Sequence, residues 1–116
     1  MTTKETIDGY FDSLKRGNGW QSFLAGDMTF TSYTSPVKQL HGKDAYLEST
    51  KRFYGSIQSM QVRDVLVDGN RAVALTHYNL GGPNGPFTSD VAEVFEVKDG
   101  KIGSFGIYFD SAPFPK

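Results

Sequence analysis

The chain has 116 residues, with 12 Lys or Arg against 13 Asp or Glu, and 38% of it is hydrophobic. That length gives one domain with a real core and no second one, and the net charge of −1 leaves no field to steer nucleic acid or an anionic lipid surface. Cysteine is absent, which excludes disulfides, cysteine-zinc sites and thiol chemistry.

The first residues, MTTKETIDGYF, carry charges where a secretion signal needs an apolar run. No apolar stretch approaches membrane-spanning length, so the expectation is a cytoplasmic protein. Thr2 and Glu5 have the spacing of a capping box, and Ile7, Tyr10, Phe11 and Leu14 follow at helical spacing. Lys15, Arg16 and Gly17 suit the end of that helix. A short apolar turn, Trp20, Phe23 and Leu24, closes at Gly26, and Met28 to Tyr33 reads as a strand ended by Pro36. A second helix starts near Gly42, with Tyr46, Leu47, Thr50, Phe53, Tyr54 and Ile57 on its buried face.

From Met60 the period changes to two, and strands are expected over about 60–67, 71–80, 87–98 and 102–110. Asp68-Gly69-Asn70, the loop Gly81 to Pro86, and Asp99-Gly100 are hairpin turns, so these strands form an antiparallel meander. Helices followed by a meander predict an α+β fold, a cone-shaped curved antiparallel sheet with the N-terminal helices packed on its concave face. The mouth of such a cone is a natural small-molecule pocket. Nine Phe and six Tyr against a single Trp suggest that rings wall it.

Most familiar catalytic devices are missing. There is no G-x-S-x-G elbow for a serine nucleophile. The two histidines, His41 and His77, lie too far apart in sequence to suggest zinc. The Gly81 to Pro86 loop lacks the Lys-Ser/Thr of a phosphate-binding loop. Neither a metal nor a cofactor is expected. What remains is a set of isolated polar groups on apolar faces. Tyr10 sits on the stripe of the first helix, either as a core tyrosine or as a hydrogen-bond donor. Glu93 shares a strand face with Phe95 and Val97, where a carboxylate finds a partner or keeps its proton. Asp90 has the opposite parity and should point outward. His77 alternates with Val73 and Leu75, which puts it on a buried face or at a subunit interface. Phe105, Ile107 and Phe109 should face the cavity, while Asp110 holds the strand end and His41 a local turn.

Helix, short helix, strand, then Gly42-Lys43-Asp44-Ala45-Tyr46-Leu47 on a second helix, and a meander with Asp99-Gly100-Lys101-Ile102 and a closing Ile107-Tyr108-Phe109-Asp110, is a familiar order. It resembles the nuclear transport factor 2-like superfamily, and within it the SnoaL-like and ketosteroid isomerase-like members. The resemblance implies one SnoaL-like domain over residues 1–116, a pocket between helices and sheet, and a homodimer through the outer sheet face. Ketosteroid isomerases use a tyrosine of the first helix and a protonated acid as an oxyanion hole, with a separate aspartate as base. The resemblance puts Tyr10 at the tyrosine, Glu93 at the protonated acid and Ser32 at the base. Limonene epoxide hydrolases, similar in the same ending, have their water-activating carboxylate where this chain has Ile107. Neither set is therefore complete.

The implied function is a small-molecule pocket protein, an isomerase, cyclase or hydrolase working on an apolar carbonyl or epoxide compound by acid-base chemistry. Tyr10, Glu93 and His77 are the catalytic candidates. Glu93 acts as a neutral donor or, if ionised, as the base, and His77 as the base if it faces the cavity. Phe30, Ser32, Phe53, Phe95, Ile107 and Phe109 are expected to line the pocket. The alternatives are a non-catalytic module binding an apolar ligand, or a dimeric interaction domain whose pocket is filled by Phe30, Phe53 and Phe109.

Overall fold

Helix α1 (Thr3–Arg16) begins where the side chain of Thr2 accepts from the Glu5 amide at 3.1 Å and Glu5 accepts from the Thr2 amide at 2.8 Å. Gly17 ends it in the left-handed conformation. The computed structural model describes residues 1–114. After α1 come a 3₁₀ turn (Trp20–Phe23), β1 (Leu24–Ser32), β2 (Lys38–His41), α2 (Lys43–Ser56), β3 (Ile57–Asp68), β4 (Arg71–Gly82), β5 (Gly85–Lys98) and β6 (Lys101–Phe109). Gly9 lets α1 lie against the 3₁₀ turn, since a Cβ there would stand 2.7 Å from Phe23 Cζ.

The strands form one sheet in the order β2-β1-β6-β5-β4-β3. From β3 to β6 the meander runs as the turns predict. Asp99 and Gly100 both take positive φ, 54° and 75°, the geometry that matches a tight turn to the twist of its strands. One pair is parallel: β1 lies beside β6, so the sheet is mixed. Register shifts in the β1–β6, β3–β4 and β5–β6 ladders mark local irregularities of the kind that bend a sheet.

The elements depart from the expected ones at three places. β1 starts at Leu24, not Met28, and runs through Gly26. The four-residue edge strand β2 is too short to stand out after Pro36. Ile57 is not on the face of α2 but opens β3, which follows the helix without a loop.

The core lies between α1 and the sheet. Ile7, Tyr10, Phe11 and Leu14 of α1 pack with Met28, Phe95, Ile102 and Phe105 from three strands. On β4 the inward set is Ala72, Ala74, Thr76, Tyr78 and Leu80. Val73, Leu75 and His77 therefore lie on the outer face. The condition on which His77 was a catalytic candidate, that it faces the cavity, is not met. Alternation alone misleads here because both faces of β4 carry apolar residues, and near its start the small Ala72 and Ala74 point inward while the bulkier Val73 and Leu75 point outward.

Candidate functional site

A cavity of about 220 Å³ opens between α2 and the sheet. Phe30, Ser32, Phe105, Ile107 and Phe109 form its β1–β6 wall, and Tyr78, Val91 and Glu93 the β4–β5 wall. Helix α2 contributes Tyr46, Ser49, Thr50, Phe53 and Tyr54, while Lys38 and Phe114 stand at the rim. The volume is below that of drug-sized sites, which suits a small compound. Among the described lining residues Glu93 is the only carboxylate and Lys38 the only cation.

Glu93 is the chemical centre of this wall. Its strand parity turns it inward beside Val91 and Phe95, leaving it 3% exposed. Thr76 Oγ1 and Tyr78 O–H, both on the neighbouring β4, donate to the same oxygen, Oε2, at 2.8 Å each. Among the described residues Oε1 has no hydrogen-bond partner, and Glu93 borders the cavity. Burial raises the carboxyl from an ordinary 4.5 to about 7, against the two hydroxyl donors, which pull it down. Both protonation states are therefore populated near neutral pH.

A chain of phenols lies close to the acid. Tyr10 and Tyr54 share a hydrogen bond of 2.8 Å, and Tyr54 makes a second, short one with Tyr46. Burial pushes all three hydroxyls, and that of Tyr78, well above 10, so they stay protonated donors. Three hydroxyl protons serve two bonds, so one proton is left over. Tyr10 is fully buried and away from the cavity, with no second partner among the described residues. A proton directed away from Tyr54 there would be orphaned. With Tyr10 donating to Tyr54 that is avoided, and the spare proton falls to Tyr54 or Tyr46, both of which border the cavity and can offer it to a ligand.

The residues singled out from sequence separate accordingly. Glu93, Phe30, Ser32, Phe53, Ile107 and Phe109 border the cavity. Tyr10 lies behind it and reaches it through Tyr54. Phe95 packs on Phe105 at 4.6 Å between ring centres, and on Tyr10 and Phe11 at 6.0 Å, beneath the cavity rather than on its wall. His77 bonds Asp90 at 2.7 Å on the outer face, so it cannot serve the cavity. Sequence reasoning missed Tyr46, Tyr54 and Tyr78 as site residues. The signal was present: three tyrosines on largely apolar stripes, each needing a partner for its hydroxyl.

A model of the SnoaL-like domain family matches residues 7–105, and the chain belongs to that family. Among solved structures, a nuclear transport factor 2-like protein of Burkholderia thailandensis is similar at 16% identity and TM-score 0.83, over 97% of this chain and 94% of the other. A protein of Jannaschia described as a SnoaL-like polyketide cyclase is similar at 15% identity and TM-score 0.79, covering 98% and 93%. A protein of Catenulispora acidiphila with a ketosteroid isomerase-like fold, in complex with trimethylamine, follows at 15% identity and TM-score 0.75, covering 94% and 88%. At these identities the likeness is one of fold. No curated protein matches the chain. Among the described residues no helix is long and apolar enough to cross a membrane.

Proposed function

We propose that the protein takes a small, mostly apolar carbonyl compound into this cavity and moves a proton on it, as an isomerase or cyclase does. The observation that carries the reading is Glu93: a buried carboxyl at about 7, with one oxygen held by two hydroxyls and the other unpartnered at the cavity wall. A base poised near the working pH is the arrangement that general acid-base catalysis favours. Ser32 and Ile107 stand where related enzymes keep a second carboxylate, and neither can accept a proton near neutral pH. This supports the base role for Glu93 over the neutral-donor role.

In the proposed step, ionised Glu93 takes the proton next to the carbonyl through Oε1. The C–H electron pair becomes the carbon-carbon double bond of an enolate, whose oxygen accepts a hydrogen bond from Tyr46. Tyr54 and Tyr10 support Tyr46 through the chain. Return of the proton from Glu93 to another carbon completes an isomerisation; attack of the enolate carbon on a second carbonyl, whose C=O π pair becomes an alkoxide that takes the proton back from Glu93, completes a cyclisation. The test is turnover of a panel of cyclic enones, diketones and epoxides by wild type, Glu93→Gln and Tyr46→Phe. A substrate whose conversion collapses in Glu93→Gln supports the assignment, and equal rates in all three proteins would remove it.

The missing second carboxylate favours one further reading, a non-catalytic binding module for the same class of compound. It predicts saturable binding without conversion across the panel, and a ligand that co-purifies and can be identified by mass spectrometry. In either case we propose a homodimer through the outer sheet face. Leu66, Val73, Leu75, Val94 and Tyr108 make that face apolar, with Leu66, Leu75 and Tyr108 exposed. Ion pairs within one copy, Arg63 with Asp90 and Arg71 with Glu96, neutralise part of the charge on that face. Sedimentation equilibrium of wild type against Leu75→Asp tests this, with a dimer expected only for the former.

A further inference from the structure

The cavity has a polarity along its length that specifies its ligand beyond size. Ser32 pairs with Lys38 on one side and with Ile107 on the other, and Ile107 pairs with Glu93. Residues directly opposite on neighbouring strands point to the same face, so Lys38, Ser32, Ile107 and Glu93 form one row across β2, β1, β6 and β5. All four border the cavity. Exposure falls along the row, from exposed Lys38 through half-buried Ser32 and Ile107 to buried Glu93. The row thus runs from the rim to the acid.

The two ends carry opposite chemistry. At the deep end a carboxyl meets the reacting carbon. At the rim Lys38 turns across the opening toward α2, its Nζ donating to Ser49 Oγ at 3.3 Å. No carboxylate pairs with Lys38 among the described residues. An ammonium held over an apolar cavity by one long, neutral hydrogen bond has donors to spare for an anion.

The geometry points to a ligand with a carboxylate at the end remote from the reacting carbonyl, bound by Lys38 with Ser49 and Ser32 beside it. This rests on the cavity being a small-molecule site. A single ammonium matches one negative charge, whereas a phosphate ester would bring nearly two with no second cation on the wall. Three strand spacings, on the order of 14 Å, separate the row's end backbones. The cavity of about 220 Å³ between those ends admits a small aromatic acid of the size of cinnamate.

Calorimetry with cinnamate, cinnamamide and cinnamyl alcohol tests the inference, because the three share an apolar frame and differ at one end. Wild type should bind cinnamate about fivefold more tightly than the amide or the alcohol, the scale of one partly exposed ion pair. Lys38→Gln should bring the three to parity, Lys38→Arg should restore the preference, and added salt should shrink it. Lys38 is exposed on an edge strand, so its replacement leaves the fold intact, which circular dichroism checks. A cinnamate preference that persists in Lys38→Gln overturns the inference. So does equal binding of all three by wild type, which leaves the cavity reading standing. Failure of wild type to bind any of the three overturns the cavity reading as well.

Discussion

Strands β4 and β5 carry two acid pairs, one on each face. Inside, Tyr78 donates to Glu93, and outside, His77 meets Asp90, with bond lengths of 2.8 and 2.7 Å. The partners are close neighbours in sequence and the contacts are alike, yet the acids respond in opposite ways. Glu93 is lifted to about 7 by burial, while the His77 contact draws the solvated Asp90 below its ordinary value. Hydrogen bonding lowers both acids. Desolvation decides the outcome: it outweighs the hydrogen bonds at Glu93 and is outweighed by the His77 contact at Asp90. The same two strands therefore hold a buried acid on one face and a solvated one on the other.

The largest expected contrast is in turnover. Glu93→Gln should lower kcat about 10²–10⁴-fold on any substrate the protein converts, while Asp90→Asn leaves kcat unchanged. Equal losses in the two variants would erase the distinction between the faces. The pH profile of wild type kcat/KM should rise through about 7 as Glu93 ionises, and a profile flat from pH 5 to 9 would sink the base role. Next comes the donor. Tyr46→Phe should cost about 10²-fold in kcat, at the low end for a lost oxyanion donor, and Tyr10→Phe less than about tenfold, because Tyr10 acts through Tyr54.

Stability offers a smaller but sharper contrast. The folded state holds the Glu93 proton up to about 7, the unfolded chain only to about 4.5. The stabilising contribution is thus complete below 4.5 and is lost as pH rises through 7, amounting to roughly 3 kcal/mol. Urea denaturation should accordingly show Glu93→Gln more stable than wild type at pH 8, and the two nearly matched at pH 4. Asp90 is shifted the other way. Its contribution is present above the ordinary value of 3.8 and fades as pH falls, so Asp90→Asn should matter least of all. A stabilised Asp90→Asn at pH 8 would reverse the comparison.

The fold was legible because its signals are local. The capping box at Thr2, the helical stripes and the Asp99-Gly100 turn each depend on a few adjacent residues. Glu93 was legible for the same reason, as a carboxylate among apolar residues of one parity. The phenol chain was not, because Tyr10 and Tyr54 meet across 44 positions and only tertiary packing joins them. His77 was misdirected by Val73 and Leu75, whose bulk suggests burial although smaller Ala72 and Ala74 occupy the side facing the core. Phe95 shares the parity of Glu93 but lies under α1, a distinction that alternation cannot make.

The parallel pairing of β1 with β6 also sets an order of assembly. β6 follows every other strand in the chain, yet it lies between β1 and β5. Until β6 docks, β2-β1 and β5-β4-β3 share no edge, and Phe30 has no Phe105 beside it. Long-range pairings of this kind form slowly, since loop closure precedes any gain from the contact. The wall that bears Glu93 and the wall that bears Ser32 and Lys38 are thus joined through β6 alone. The cavity is therefore complete only when that single central strand joins both halves of the sheet.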